Sequence, residues 1–390
     1  MARRDTIRIG IVGCGNRALI GRHVAEVRAD AAVTAIVEPT AGGRERAARW
    51  YPEVPVLDSL DALLEQGVDA ALVTTPNHTH AEIASTLLRA GVAVFLEKPM
   101  TISLESADSL LQVAVETGTP LYVGHNYRHS EVVRTMRRAI DDGMIGEVRS
   151  IWVRHFVGNG GDFYFKDWRA ERSNTWSLLL EKASHDIDVV HYLGGAYSDQ
   201  VVGMGGTLLY DQVADRGEVG DQIIPDWFSL DNWPPLAQRG LNPRADVEDV
   251  SMVMMGLRNG VLASYQQCHF TPDYWRNYTV IGTEGRLENF GDTSGGVVRI
   301  WNKRREWSLQ GDVEFHLGGV STGHGDADQR TMAEFLAYAF DGERPLLSPL
   351  AARESVAVGY LAAASLRAGS LPQRVPLVPP DVRRYFEHEG

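Results

Sequence analysis

Hydrophobic residues follow two different rhythms along this chain. Over residues 1–127, short apolar runs alternate with stretches of helical periodicity, the signature of βαβ units. Strands are expected at 7–12, 32–38, 70–74, 93–97 and 121–124. The runs AALVTT and VAVFLE are apolar without alternation, as suits parallel strands buried on both faces. Helices fall between them, for instance HAEIASTLLRAG, which stops at Gly91. After Tyr127 a helix, SEVVRTMRRAIDDG, leads into the alternating, β-branched and aromatic run EVRSIWVRHFV. The later runs VSMVMMGL, VLASYQQCHF, RNYTVIGT and VVRIW are separated by turn pairs such as Asn259-Gly260 and Glu284-Gly285. They read as an antiparallel sheet. Two helices, DADQRTMAEFLAYAF and LAARESVAVGYLAAASLRAG, follow.

The pattern predicts an α/β N-terminal Rossmann domain with a doubly wound parallel sheet over 1–127. An α+β domain with a large open, mostly antiparallel sheet follows over 128–375, then a tail over 376–390. Segment 210–243, rich in proline, tryptophan and acids, breaks the rhythm; it reads as a surface insertion or as a lid over a cleft.

Composition narrows the classes. The 390 residues fit two domains, and 44% hydrophobic content argues against disorder. A net charge of −13 argues against nucleic acid as a partner. No apolar run reaches the ~20 residues that span a membrane. Asp5 and Arg8 leave no apolar signal core, so a cytoplasmic location is expected. The two cysteines, Cys14 and Cys268, form neither a disulfide framework nor a metal cluster, and no metal is expected.

Three clusters carry chemistry. IRIGIVGCGNRA places Gly13, Gly15 and Ala18 in G-x-G-x-x-A spacing, with Asn16 and Arg17 inside it, after a strand and opening a helix. The first glycine makes a tight turn and the second admits a pyrophosphate. The third position must be small for helix–strand packing. Cys14 reads as a space-filling residue. Glu38 ends the second strand, where an acid accepts hydrogen bonds from ribose hydroxyls and repels a 2′-phosphate. NAD is therefore expected over NADP. Arg44 is within reach of a phosphate, although Arg44, Arg46 and Arg49 read as a solvated helix face.

FLEKPM places Glu97, Lys98 and Pro99 at the carboxyl end of a central strand, where open α/β sheets bind ligands. Pro99 breaks the strand and holds the preceding backbone extended. Lys98 either projects toward a substrate, where it stabilises a developing alkoxide, or lies in solvent. In TTPNHTHAEI, Asn77 or Thr79 is placed to cap the next helix. His78 and His80 read as cap neighbours.

SLLLEKASHDIDVVHYLGG reads as one helix ending at Gly194-Gly195. Glu181 and His185, four apart, share a face, with Asp188 close to it. Asp186 and Lys182 point about a quarter turn away. A carboxylate beside the imidazole makes His185 a candidate general base, against the plainer reading of a structural Glu/His pair.

These motifs together resemble the Gfo/Idh/MocA oxidoreductases. GIVGCGNRA, TTPNHTHAEIA, AGVAVFLEKPM, the run from Gly124 to Ile151 and SHDIDVVHYLGG carry the likeness, with VIGTEGRLEN and ESVAVGYLAAASLRAG. The resemblance implies that Lys98 and His185 flank the substrate carbon, with Glu181 beside them. It implies cofactor contacts from Thr75, Pro76, Asn77, His80, Glu97, Lys98 and Asn126, and from Trp168 and Arg169 in KDWRAE. Tyr127 and Lys182 join Lys98, Glu181 and His185 as substrate candidates. It also implies a homodimer or homotetramer through the second sheet. The departure is Glu181-Lys182, where many members carry aspartate; Lys182 reads as a substrate contact or as solvated.

The expected activity is an NAD-dependent dehydrogenase acting on a secondary alcohol of a sugar, polyol or glycoside. His185 serves as acid/base and Lys98 stabilises the substrate oxygen. The alternatives are a glycoside hydrolase using transient oxidation by held NAD and a non-enzymatic NAD- or sugar-responsive binding protein.

Overall fold

In a computed structural model, residues 6–318 and 326–388 are described. Six strands form the first sheet: β1 (Ile7–Val12), β2 (Ala31–Val37), β3 (Val56–Leu57), β4 (Ala70–Val73), β5 (Ala93–Leu96) and β6 (Leu121–Val123). Their order is β3-β2-β1-β4-β5-β6, and the β1–β2, β1–β4 and β4–β5 pairings are parallel. Every residue of β4 and β5 is buried, which is why these strands show no alternation. The chain reverses its winding between β1 and β4, so the loops after those strands open a crevice at the carboxyl edge.

The second sheet holds nine strands: β7 (Val148–Phe156), β8 (Ser198–Gly206), β9 (Val250–Leu257), β10 (Leu262–Cys268), β11 (Trp275–Gly282), β12 (Arg286–Phe290), β13 (Val297–Trp301), β14 (Val313–His316) and β15 (Gln373–Arg374). The order is β14-β13-β12-β11-β7-β10-β9-β8-β15. It is mixed rather than purely antiparallel, because β10 runs parallel to β7. The strands β8, β14 and β15, and β3 in the first sheet, are too short or too glycine-rich to register as periodic runs.

The C-terminal helices return to the first sheet. Met332, Phe335 and Leu336 of helix Ala327–Asp341 share a core with Ile9 and Ile11 of β1. Val378 and Val382 join the core around β4 and β5. Helix Pro349–Arg367 packs into the cores of both sheets. Its buried Arg353 binds Asp108 at 2.6 Å and the Pro376 carbonyl at 2.8 Å. Gly359 lets this helix approach closely: a Cβ there would lie 2.6 Å from the Leu179 carbonyl oxygen. That contact seats the segment carrying Glu181.

SLLLEKASHDIDVVHYLGG is not one helix. Leu178–Glu181 forms one turn, and Ser184–Gly194 begins after a break at Lys182-Ala183. The Ala183 N–H reaches back to the Leu178 carbonyl, one residue further than an α-helix allows. The end at Gly195 is as expected, with φ 71° in the left-handed region. Ten of the eleven residues of Ser184–Gly194 are buried. A helix enclosed on all sides has no solvated face, so its charged side chains need internal partners.

Candidate active site

The glycine loop is built by steric need. Gly13 has φ +90°, and a Cβ there would lie 2.7 Å from Thr75 Cγ2. Thr74 ties the two loops by donating to the Gly13 carbonyl at 2.6 Å. Ala18 is fully buried in the core, as the small third position requires. Cys14 is buried too; burial and the Glu38 carboxylate push its thiol up to about 11, which suits a space-filling role. Glu38 accepts from the Cys14 N–H at 2.7 Å and from Thr40 at 2.7 and 2.9 Å.

Arg46 is not a solvated face residue. It donates to the Cys14 carbonyl at 2.9 Å and to the Asp221 carbonyl at 2.7 Å. Arg44 pairs with Asp58 instead of facing the loop. Arg17 leaves the loop to bind Glu97 at 2.7 Å and Asp328 at 2.8 Å. Asn126 donates to the same Asp328.

Neither expected cap forms. The helix His80–Arg89 has no side-chain cap at Thr79. Thr79 donates to Thr75 Oγ1 and the Pro76 carbonyl, and Asn77 points across the cleft. Nor is His80 a mere cap neighbour. It is fully buried, with Nδ1 2.8 Å from the Pro99 carbonyl and Nε2 3.0 Å from that of Thr75. It braces the two strand-end loops. The Lys98-Pro99 peptide is cis.

Lys98 does not lie in solvent. Its ammonium donates to the Glu181 carbonyl at 2.9 Å and to Glu181 Oε1 at 3.3 Å. Glu181 Oε2 accepts from Asn77 at 2.6 Å, and Arg169 lies 3.8 Å from Oε1. Glu181 thus joins the two domains, and its oxygens serve Asn77 and Lys98 rather than orienting His185. The His185 ring stands 6.0 Å from His125 and 6.2 Å from Tyr127. Tyr127 lies behind it, donating its hydroxyl to Asp292 at 2.6 Å, and Arg276 stacks on its ring at 4.0 Å.

The remaining acids turn away from His185. Asp188 makes a two-pronged pair with Arg128, both contacts 2.7 Å. Asp186 takes His155 at 3.0 Å, Arg276 at 3.1 Å and the Tyr278 hydroxyl. Burial alone would raise the Asp186 carboxyl; Arg276 and His155 hold it below the usual carboxylate range. Lys182 sits over the rings of Tyr164 and Tyr274 at 5.7 and 6.0 Å. Burial, with Arg276 and Lys98 nearby, holds its amine down at about 7.

One cleft of about 980 Å³ collects these groups. It runs from Glu38 and Thr40, past Gly13, Gly15, Asn16, Arg17, Thr75, Pro76, Asn77 and His80, to Glu97, Lys98 and Asn126. Trp168, Arg169, Glu181, Lys182 and His185 close its far end. Ala18 and Tyr127 lie behind the wall. A dinucleotide fits this lining: a glycine turn faces the cleft, and the Asn126 side-chain oxygen is buried beside it without a partner. Gly13, Gly15 and Thr75 would hold the pyrophosphate, Glu38 the ribose, and Asn126 the amide-bearing ring.

Segment 210–243, expected as a surface insertion or a lid, contributes residues 218–224 to the cleft wall, and none of these was singled out from the sequence. Glu218, Gly220 and Ile223 line the cleft opposite Glu38, and Asp221 accepts from the Gly42 N–H at 3.0 Å. Tyr164, Lys166 and Asn174 were also missed. No periodicity marks them, because long-range contacts bring them in.

The chain matches two family descriptions. Residues 7–125 match "Oxidoreductase family, NAD-binding Rossmann fold", and residues 133–288 match "GFO/IDH/MocA C-terminal domain". It is 28% identical over 214 residues to inositol 2-dehydrogenase of Rhizobium meliloti, covering 55% of this chain and 62% of that protein. It is 28% identical over 251 residues to 2,7-anhydro-N-acetylneuraminate hydratase of Mediterraneibacter gnavus, covering 59% and 63%. The chain therefore matches less than two thirds of either relative. Levoglucosan dehydrogenase, solved with NADH and levoglucosan, shares the fold with a TM-score of 0.78 at 19% identity, over 95% of this chain and 100% of that one. With both domains matched and the crevice formed by the motifs that define them, the chain belongs to the GFO/IDH/MocA family of NAD-binding oxidoreductases.

Proposed function

We propose that the protein is an NAD-dependent dehydrogenase that oxidises a secondary alcohol of a sugar, polyol or glycoside, or reduces the matching ketone. The convergence of Lys98, Glu181 and His185 on a cleft continuous with the glycine loop carries this reading. Nicotinamide, when bound, supplies the hydride acceptor. His185 takes the hydroxyl proton in the oxidative direction. The Lys98 ammonium stabilises the alkoxide-like oxygen, and the Glu181 carbonyl and carboxylate hold that ammonium in place. Glu38 and the pairing of Arg44 with Asp58 favour NAD over NADP.

The test is turnover of a sugar, polyol and glycoside panel at 340 nm, with NAD and NADP separately. His185→Ala and Lys98→Ala are each expected to lose ~10²–10⁴-fold in kcat/KM. Normal turnover by His185→Ala would remove the acid/base assignment.

One observation favours a second reading. Segment 218–224 reaches the ribose end through the Asp221–Gly42 contact, where it would slow exchange of a bound cofactor. A held cofactor suits chemistry in which the substrate is oxidised and then re-reduced. That reading predicts cofactor that co-purifies and no net NADH; steady NADH accumulation rejects it.

The assembly belongs to the same proposal. Met204, Met252, Met254, Leu262 and Trp152 lie exposed on strands β8, β9, β10 and β7, with Met204 opposite Met252 and Leu262 opposite Gly256. An exposed apolar sheet face can pair with its own copy about a two-fold axis, and we infer that a second copy covers it. Light scattering should give a dimer or larger, and Trp152→Glu with Met254→Glu should give monomers. A monomeric wild-type protein at micromolar concentration would refute this.

A further inference from the structure

The cations lining the cleft are matched with acceptors, except one. Lys98 pairs with Glu181, Lys166 with Asp162, Arg169 with Asp167, Arg17 with Glu97 and Arg244 with Glu171. Arg46 donates to backbone carbonyls. Among the described residues Lys182 alone of this set has no carboxylate or carbonyl at hydrogen-bond distance. It stands at the break between Leu178–Glu181 and Ser184–Gly194. Its ammonium lies over the rings of Tyr164, which lines the cleft, and Tyr274, with the Asp186 and Glu181 carboxylates nearby but not in contact.

A half-buried ammonium without a counter-charge is costly. Arg276 and Lys98 add like charge, and both are already engaged by Asp186 and Glu181. A ligand anion would complete the site. A single compact charge fits, because only one of these cations is uncompensated. A phosphate would bring about two charges and three acceptor oxygens.

We infer that the substrate is an acidic sugar or polyol, and that its carboxylate docks on Lys182 beside Tyr164 while Lys98 and His185 hold the reacting hydroxyl. This deepens the dehydrogenase reading and rests on it for the site, but not for the test.

The test compares ligands that differ only in charge. Binding of D-glucuronate and D-galacturonate to the NADH-loaded full chain is measured by calorimetry against their methyl esters. At least one acid should bind ~10-fold or more tighter than its ester. Lys182→Met should shrink that ratio to within ~2-fold, with NADH binding retained as the folding control, and Lys182→Arg should restore part of it. In turnover the loss should fall on KM rather than kcat. Equal binding of acid and ester, a ratio that survives in Lys182→Met, or no binding of either acid overturns the proposal. So does a sugar phosphate that binds tighter than the acids through Lys182. The dehydrogenase reading falls separately, on a neutral panel and NADH binding: a protein that oxidises neutral sugars but ignores the acids keeps that reading and loses this one.

Discussion

The glycine loop and the polar layer behind His185 meet at the same cleft but are held by opposite means. The loop is local. Gly13 is set by a strand end, a φ of +90° and the neighbouring Thr75. The polar layer is assembled from distant segments: Asp186, His155, Arg276 and Tyr278 come from one helix and from β7 and β11. The first region tolerates no added atom at Gly13; the second tolerates no lost charge. A cofactor site made by backbone can be encoded in a short motif, whereas a substrate site made by buried ions needs the whole fold to neutralise it.

Breaking the second region should cost the most stability. Asp186→Ala leaves the Arg276 guanidinium buried without its carboxylate, and removing one partner of a buried pair typically costs ~3–5 kcal/mol. Urea unfolding measures it; a loss under ~1 kcal/mol would mean that the layer is wetter than its burial indicates.

Acid probes the buried histidines, His155 of that layer among them. Burial lowers His125 to about 4, and His155 and His191 to about 3. All three are held neutral when folded and take up protons near pH 6.5 when unfolded. Their contribution is therefore fully present above pH 6.5 and is lost as pH falls toward their folded values. The slope is on the order of 1.4 kcal/mol per pH unit for each. The melting temperature should fall steeply between pH 6.5 and 4.5. A flat profile there would contradict neutral burial.

The smallest effect on stability, with the largest on cofactor affinity, belongs to the first region. Gly13→Ala places a Cβ against Thr75 at φ +90° and should cost ~1–3 kcal/mol. NAD binding should weaken far more than acid binding at Lys182. Equal weakening of both would show that the two regions are not independent.

The same division explains what was legible. The parallel strands, the loop, Glu38 and Lys98 follow from apolar runs, glycine spacing and a proline that ends a strand. Residues 177–195 misled at two points. Periodicity implied one amphipathic helix, but the chain breaks at Lys182-Ala183, and the helix after the break is buried on every side. The expected Glu181–His185 partnership gave way to Glu181–Lys98 and Glu181–Asn77, because those groups approach from another domain. Asp188 was drawn to Arg128, sixty residues earlier in the chain. The wall at 218–224 carries no periodic signal at all; it exists because Asp221 meets Gly42 and Arg46.

By itself, then, the sequence determined the nucleotide-binding sheet, the glycine turn and the chemical types at the cleft, since those depend on neighbours within a few residues. Which carboxylate serves which cation, and that Lys182 is left without one, was decided only by the tertiary structure. Ion pairing in a low-dielectric interior is set by distances in space, and residues far apart in the chain supply the partners.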